Sequence, residues 1–207
     1  MESILEGKTT ASQEIHDLGA RLHLIRRPPE TLIAKVFCLM EDEGLLDTVW
    51  HAGKITLSQV LADAAKPSQV YYTYLTESLE TKRITLAGMG WAHDITPLAN
   101  GKFRASVGMA FFRDSQCPKL TKEFCSMALD DGFDNLALEA AYGYAPLNNR
   151  AACIFHRRMG FSVIGIAPHY SNWQGTICDV QISCLTREHW EQIQRSKIGQ
   201  VGAEDAA

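Results

Sequence analysis

Apolar residues first recur at helical spacing in Leu32, Val36, Leu39 and Met40, between the Pro28-Pro29 pair and Gly44. Proline suits the first turn of a helix, so this stretch predicts an amphipathic helix, preceded by a short strand over 23–26. A second helix is predicted over 57–65, with Thr56 or Ser58 as its N-cap and Lys66-Pro67 as its stop. The period then changes from helical to alternating. Three strands follow, over 70–76, 83–91 and 102–112, rich in β-branched and aromatic residues and read as antiparallel neighbours. In the third, Phe103, Ala105, Val107, Met109 and Phe111 alternate with Arg104, Ser106, Gly108 and Ala110, after an Asn100-Gly101 turn. Gly108 in mid-strand has three readings: a bulge, a point where another group approaches the backbone, or a glycine kept for packing.

After Pro118 the helical period returns, with Leu120, Phe124, Met127 and Ala128 on one face and Gly132 as a left-handed stop. A short strand over 136–141 follows, then a helix over 149–159 ending at Gly160. Two strands come next, over 162–167 and 176–185, separated by an aromatic, polar loop with His169, Tyr170, Asn172 and Trp173. A last helix over 187–195 precedes a Gly/Ala-rich tail. The expected division is therefore a lead-in at 1–20, one domain at 21–196 and a flexible tail at 197–207. No internal repeat is found.

The fold class this implies is α+β: a mainly antiparallel sheet flanked by helices. Composition narrows the function classes. A 207-residue chain with 46% hydrophobic residues buries a full core, and a formal charge of −4 gives no electrostatic reason for nucleic acid or an anionic membrane as partner. Met1–Thr10 is polar and no apolar run is long enough to span a bilayer, so a cytoplasmic protein is expected. Six cysteines without a C-x-x-C pair read as free thiols. Seven scattered histidines carry no local zinc signature, and no metal is expected.

The most informative stretch is Asn149-Arg-Ala-Ala152-Cys-Ile-Phe-His156-Arg-Arg-Met-Gly160-Phe161. It resembles the N-x-x-A-x-x-x-Y-x-x-x-G-F segment of the Gcn5-related N-acetyltransferase (GNAT) superfamily. It matches at Asn149, Ala152, Gly160 and Phe161, with histidine in place of tyrosine at 156. The order of predicted elements extends the resemblance from about residue 21 to 185. In that family two central strands splay apart and the pantetheine arm of acetyl-coenzyme A lies between them as a pseudo-strand. The resemblance implies that backbone groups of Gly108, Met109 and Ala110 bind that arm and polarise the thioester carbonyl.

The family's pyrophosphate loop, (Q/R)-x-x-G-x-(G/A), falls by this resemblance on Phe112-Arg113-Asp114-Ser115-Gln116-Cys117, with neither glycine present. Arg113, Ser115, Gln116, Cys117 and Lys119 become the candidate phosphate contacts, opposed by Asp114 and by Pro118, which lacks an N–H. Asn149 and Arg150 are further candidates for the cofactor, Asn149 also reading as a plain N-cap. His156 takes the place of the tyrosine that protonates the departing thiolate, or else is a core histidine on an apolar helix face. An imidazole with pKa ~6.5 would give a different pH profile from a phenol at ~10. Glu139 is the one carboxylate available as general base in its strand. Tyr170 and Trp173 fall where the family builds its acceptor pocket, and their loop suits stacking or a homodimer contact.

Two functions compete on this reading. One is an acetyl-coenzyme-A-dependent N-acetyltransferase acting on a primary amine of a small molecule or peptide. The other is a catalytically weak or inactive binding protein of the same fold with a degenerate pyrophosphate loop.

Overall fold

The computed structural model describes residues 10–46 and 55–204, with 197–204 as backbone only. In chain order these form β1 (Ala11–Ile15), β2 (Ala20–Arg26), α1 (Glu30–Asp42), α2 (Leu57–Ala64), β3 (Val70–Ser78), β4 (Ile84–Pro97) and β5 (Phe103–Phe111). There follow α3 (Pro118–Asp134), β6 (Leu138–Pro146), α4 (Arg150–Arg158), β7 (Ser162–Trp173), β8 (Thr176–Thr186) and α5 (Arg187–Glu204). Short 3-10 turns occupy His16–Leu18 and Arg113–Ser115.

The strands make one eight-stranded sheet in the order β1-β2-β3-β4-β5-β6-β8-β7. Every neighbouring pair is antiparallel except β5 and β6, which run parallel at the centre. The α+β expectation, with helices flanking a mainly antiparallel sheet, holds. Alternation along the strands sends side chains to the two faces of the sheet, where the two larger apolar clusters form. Tyr72, Tyr74, Ala105 and Phe111 pack with Leu120, Phe124 and Phe133 of α3 and with Phe161 and Trp190. Tyr71, Met89, Ala110 and Phe112 face the other way, against Ile33, Val36, Phe37 and Met40 of α1 and Val60 of α2.

The first core holds a buried polar anchor. Asp131 of α3 is 4% exposed. It accepts hydrogen bonds from Arg26 Nη1 at 3.1 Å, Tyr72 Oη at 2.8 Å and Asn135 Nδ2 at 2.8 Å. A carboxylate this deep is tolerable only with its lone pairs filled, and the cluster ties α3 to β2 and β3. Burial, with Asp131 beside it, pushes the Tyr72 phenol far above its ordinary pKa.

Several boundaries differ from the sequence expectation. β1 lies inside the expected lead-in and pairs along its length with β2, Ala11 opposite Leu24. Its residues are mostly exposed, so it shows little apolar pattern. α3 runs two residues past Gly132, which is buried in the helix against Leu138, and ends at the C-cap Asn135. The expected loop around His169 and Tyr170 is part of β7. Three residues, 168–170, oppose the single Asp179 as a bulge, His169 has φ +52° and donates its backbone N–H to Asp179 Oδ1, and pairing resumes at Ser171 opposite Cys178. The turn is only Gln174-Gly175, with φ +50° and +81°, the positive angles of a tight two-residue hairpin. The backbone of α5 continues to Glu204, through most of the expected tail. Residues 1–9 of the lead-in and 205–207 of the tail lie outside the described residues.

Candidate active site

The parallel seam between β5 and β6 closes at one end and opens at the other. Pairing runs from Phe103 opposite Leu138 to Val107 opposite Gly143, and there it stops, although β5 continues to Phe111 and β6 to Pro146. A cavity of about 160 Å³ occupies the opening. It reaches both faces of the sheet: Phe155 and His156 of α4 line it on the α3 side, and Trp91, whose side chain belongs to the α1 core, lines it on the other. The seam is thus a slot through the sheet. The diverging strands implied by the helix signature are present.

Strand alternation decides which backbone groups look into the slot. Phe103 donates its N–H to Ala137 on the β6 side, and Phe112 donates its N–H to Ala87 on the β4 side. The irregularities flanking β5 fall in the partner strands, since Asp94 and Ile95 of β4 together oppose Ala105 and Glu139 is the extra residue on β6. The alternation therefore runs unbroken along β5. Gly108 and Ala110 turn their N–H and C=O toward Trp91 and Met89 of β4, whereas Met109 and Phe111 turn theirs toward the slot. Gln116 Nε2 donates to the Phe111 carbonyl at 3.2 Å, leaving the Met109 amide and carbonyl and the Phe111 N–H directed at the opening. On the facing strand Leu147 donates to the Asp179 carbonyl of β8 at 2.9 Å, so by the same alternation Tyr144 presents its backbone to the slot.

Gly108 and Ala110 are therefore corrected as backbone donors. Nor is Gly108 a bulge, because its register with Trp91 is regular. It is a close approach: a Cβ at 108 would come within 2.5 Å of Trp91 Cζ2. The glycine lets the indole lie against β5 beside the slot. Gly143 does the same on β6, where a Cβ would come within 2.7 Å of His156 Cε1.

His156 lies flat over Gly143 and stacks on Phe161, ring centroids 5.3 Å apart. Burial lowers its pKa to about 4. Its Nδ1 is buried without a hydrogen-bond partner. The residue thus has features of both sequence readings, packed like a core histidine yet lining the cavity with an unsatisfied nitrogen. Asn149 is the N-cap of α4, its Oδ1 accepting the Ala152 N–H at 3.1 Å, and it also lines the cavity. Arg150 is exposed on the first turn of α4.

The loop before α3 is closed on itself. Ser115 donates to the Phe112 carbonyl, Gln116 to Arg113, and Cys117 to Ser115. The Arg113 N–H donates to Glu43 Oε2, at the end of α1, at 2.8 Å. Pro118 has no N–H to offer. Lys119 is paired with Asp17. Ser115 and Cys117 line a separate groove of about 430 Å³ shared with Leu39 and Glu43, not the slot. The expected phosphate contacts Arg113, Ser115, Gln116, Cys117 and Lys119 are thus not gathered around an open anion cradle.

Glu139 occupies the β6 bulge at the closed end of the seam, four residues or ~13 Å along the strand from Gly143, and does not line the cavity. Tyr170 stacks on Tyr144, centroids 6.1 Å apart, and does not itself line the cavity. Trp173 lies at the hairpin tip beside the Gln174-Gly175 turn. Sequence reasoning missed Trp91, Tyr144 and Glu43. Trp91 and Tyr144 sit in ordinary alternating strands, and Glu43 meets its partner across seventy positions.

No protein-family model matches the chain, and no curated protein matches it by sequence. Solved structures do match. A spermidine N-acetyltransferase from Vibrio cholerae, solved with CoA and spermine, superposes with a TM-score of 0.68 at 14% identity, over 82% of this chain and 97% of that one. A ribosomal-protein-S5-alanine acetyltransferase from Vibrio fischeri gives 0.64 at 16% identity, over 87% and 98%. Agreement at this identity is agreement of fold.

Proposed function

We propose that this chain, which has the fold of the Gcn5-related N-acetyltransferase superfamily, is an N-acyltransferase that moves an acetyl group from a thioester to a primary amine. The observation that carries the proposal is the seam that opens beyond Val107 and Gly143 into a slot reaching both faces of the sheet. An extended thioester arm needs backbone partners along its length, and the Met109, Phe111 and Tyr144 backbones supply them from two sides. A bound arm would also relieve the buried polar groups now facing the cavity. The same two structural neighbours act, by their descriptions, on spermidine and on a protein alanine. The acceptor class inferred here is accordingly an amine of a small molecule or peptide.

In this reading the neutral amine approaches from the Trp91 and Tyr144 side. Its nitrogen lone pair forms the bond to the thioester carbonyl carbon. The Met109 N–H, aimed into the slot, holds the oxyanion. The carbonyl re-forms as the C–S bond breaks with its electron pair left on sulfur, the proton on nitrogen passes to solvent, and the thiolate takes a proton from solvent, giving amide and thiol. With its pKa at about 4, His156 is imidazolium in roughly one molecule in a thousand at neutral pH. It acts as a neutral hydrogen-bond partner to the sulfur or the neighbouring amide, rather than as an imidazolium acid. Water takes the place of Glu139 as base.

The self-closed loop before α3 favours a second reading, a binding protein that holds a ligand in the slot without turnover. Thiol release from acetyl-coenzyme A and from S-acetylpantetheine, measured with polyamine, amino-sugar and peptide amines, separates the two. Amine-dependent release supports the transferase. Binding of either thioester without release under any amine assigns the chain to the second reading, and no binding at millimolar thioester removes both.

A further inference from the structure

The slot and the loop disagree about the acyl donor, and the disagreement is informative. A pyrophosphate is gripped by a run of unpaired backbone N–H groups at a helix start, and removing those donors removes the grip. In this chain most of the run is occupied from within, and the amides left open are that of Asp114 and those of Lys119 and Leu120 in the first turn of α3. Phe112 donates to Ala87, Ser115 to Phe112, Gln116 to Arg113 and Cys117 to Ser115, and Pro118 has no donor. The Arg113 N–H is held by a carboxylate, Glu43. That carboxylate sits at the C-cap of α1, an unfavourable end for a negative charge, and the amide bond offsets the cost. Asp114 adds a second negative charge in the loop, and Asp17 takes the ammonium of Lys119. To use the amides of Arg113, Ser115 and Gln116, an arriving pyrophosphate would have to displace Glu43 and unwind the Arg113–Ser115 turn, and at the remaining amides it would meet the Asp114 carboxylate. The groups that face the thioester end carry no such obstruction.

The geometry points to a donor recognised through its pantetheine thioester arm alone, with its nucleotide and pyrophosphate contributing little. This rests on the transferase or binding reading of the slot and specifies its ligand class: acyl thioesters of pantetheine, whether or not a nucleotide is attached. The exposed Arg113 and Arg150 side chains remain available to a phosphate, but only as solvated, salt-screened charges.

Titration calorimetry of the full chain with S-acetylpantetheine and with acetyl-coenzyme A, each at low and high salt, tests this. Dissociation constants within about 10-fold of each other at high salt are expected, whereas a larger advantage for acetyl-coenzyme A overturns the inference while leaving the slot reading intact. If neither thioester binds, the slot reading falls with it. A second measurement uses Glu43→Ala, which releases the Arg113 amide and removes a charge. Acetyl-coenzyme A should then bind about 10-fold tighter with S-acetylpantetheine unchanged, since a charge-assisted amide contact is worth at least that much. An unaltered ratio in a folded variant shows that Glu43 does not block the anion and overturns the inference.

Discussion

Protonating His156 must destabilise the fold, and the size of the effect follows from its setting. The ring is buried between Gly143 and Phe161, and burial lowers its pKa from 6.5 to about 4. Between those values the unfolded chain binds a proton that the folded chain refuses, so stability is fully present above pH 6.5 and is lost as pH falls toward 4. Linkage gives a loss of ~0.2 kcal/mol at pH 7, ~2 kcal/mol at pH 5 and ~3 kcal/mol at pH 4. The window from pH 7 to 5 is the useful one, because most carboxylates have yet to titrate. Urea unfolding of the wild type and of His156→Phe at both pH values isolates the histidine, since every other titrating group is common to the two proteins. The wild type should lose ~2 kcal/mol more than the variant over this interval. Equal losses would refute the claim that the imidazole is held neutral by burial.

Three further outcomes are expected. Asp131→Ala strips the partner from Arg26 and Tyr72 in the core and should cost ~3–5 kcal/mol by urea unfolding, more than an exposed ion pair could explain. Gly143→Ala forces the His156 ring away from β6, where a Cβ would lie 2.7 Å from Cε1. It should lower stability by ~1–3 kcal/mol and weaken thioester binding, seen by thermal unfolding and calorimetry on the same sample. Asn149→Ala removes the N-cap of α4 at a cost of ~1 kcal/mol, with Asn149→Asp restoring stability; a larger loss of thioester affinity in both variants would mark a ligand contact beyond the cap.

The order of elements was legible because most are strongly periodic or punctuated: Pro118 opens α3, Asn149 caps α4 and Gly160, at φ +91°, ends its last turn. What escaped was non-local. β7 reads as a strand and a loop because Pro168, His169 and Tyr170 break its alternation, and only the pairing with β8 reveals the bulge. Gly132 has the composition of a helix stop but is packed against Leu138, a contact no local pattern encodes. Even-numbered residues of β5 were mistaken for donors because a sequence does not say which parity faces which neighbour. The ends of the strand answer that, through Phe103 to Ala137 and Phe112 to Ala87. The replacement of tyrosine by histidine at 156 was visible, but its lowered pKa depends on burial by Phe161 and the β6 surface.

The distribution of unsatisfied polar groups ties these observations together. A phosphate loop with open amides is costly in the absence of ligand, and here that cost is reduced because Glu43 and the loop's own carbonyls fill the donors of Arg113, Ser115, Gln116 and Cys117. The slot is treated in the opposite way. The Met109 amide, the Phe111 N–H and the Tyr144 backbone lose their strand partners where the seam opens, and His156 Nδ1 is buried without one. Groups left without a strand partner are the ones a ligand entering the opening can pair with. Trp91 and Gly143 keep this opening from collapsing, the first by filling the space over Gly108 and the second by admitting the imidazole. Binding capacity is thus concentrated at the thioester end of the site and withdrawn from the phosphate end, which is the arrangement a ligand held by its acyl arm requires.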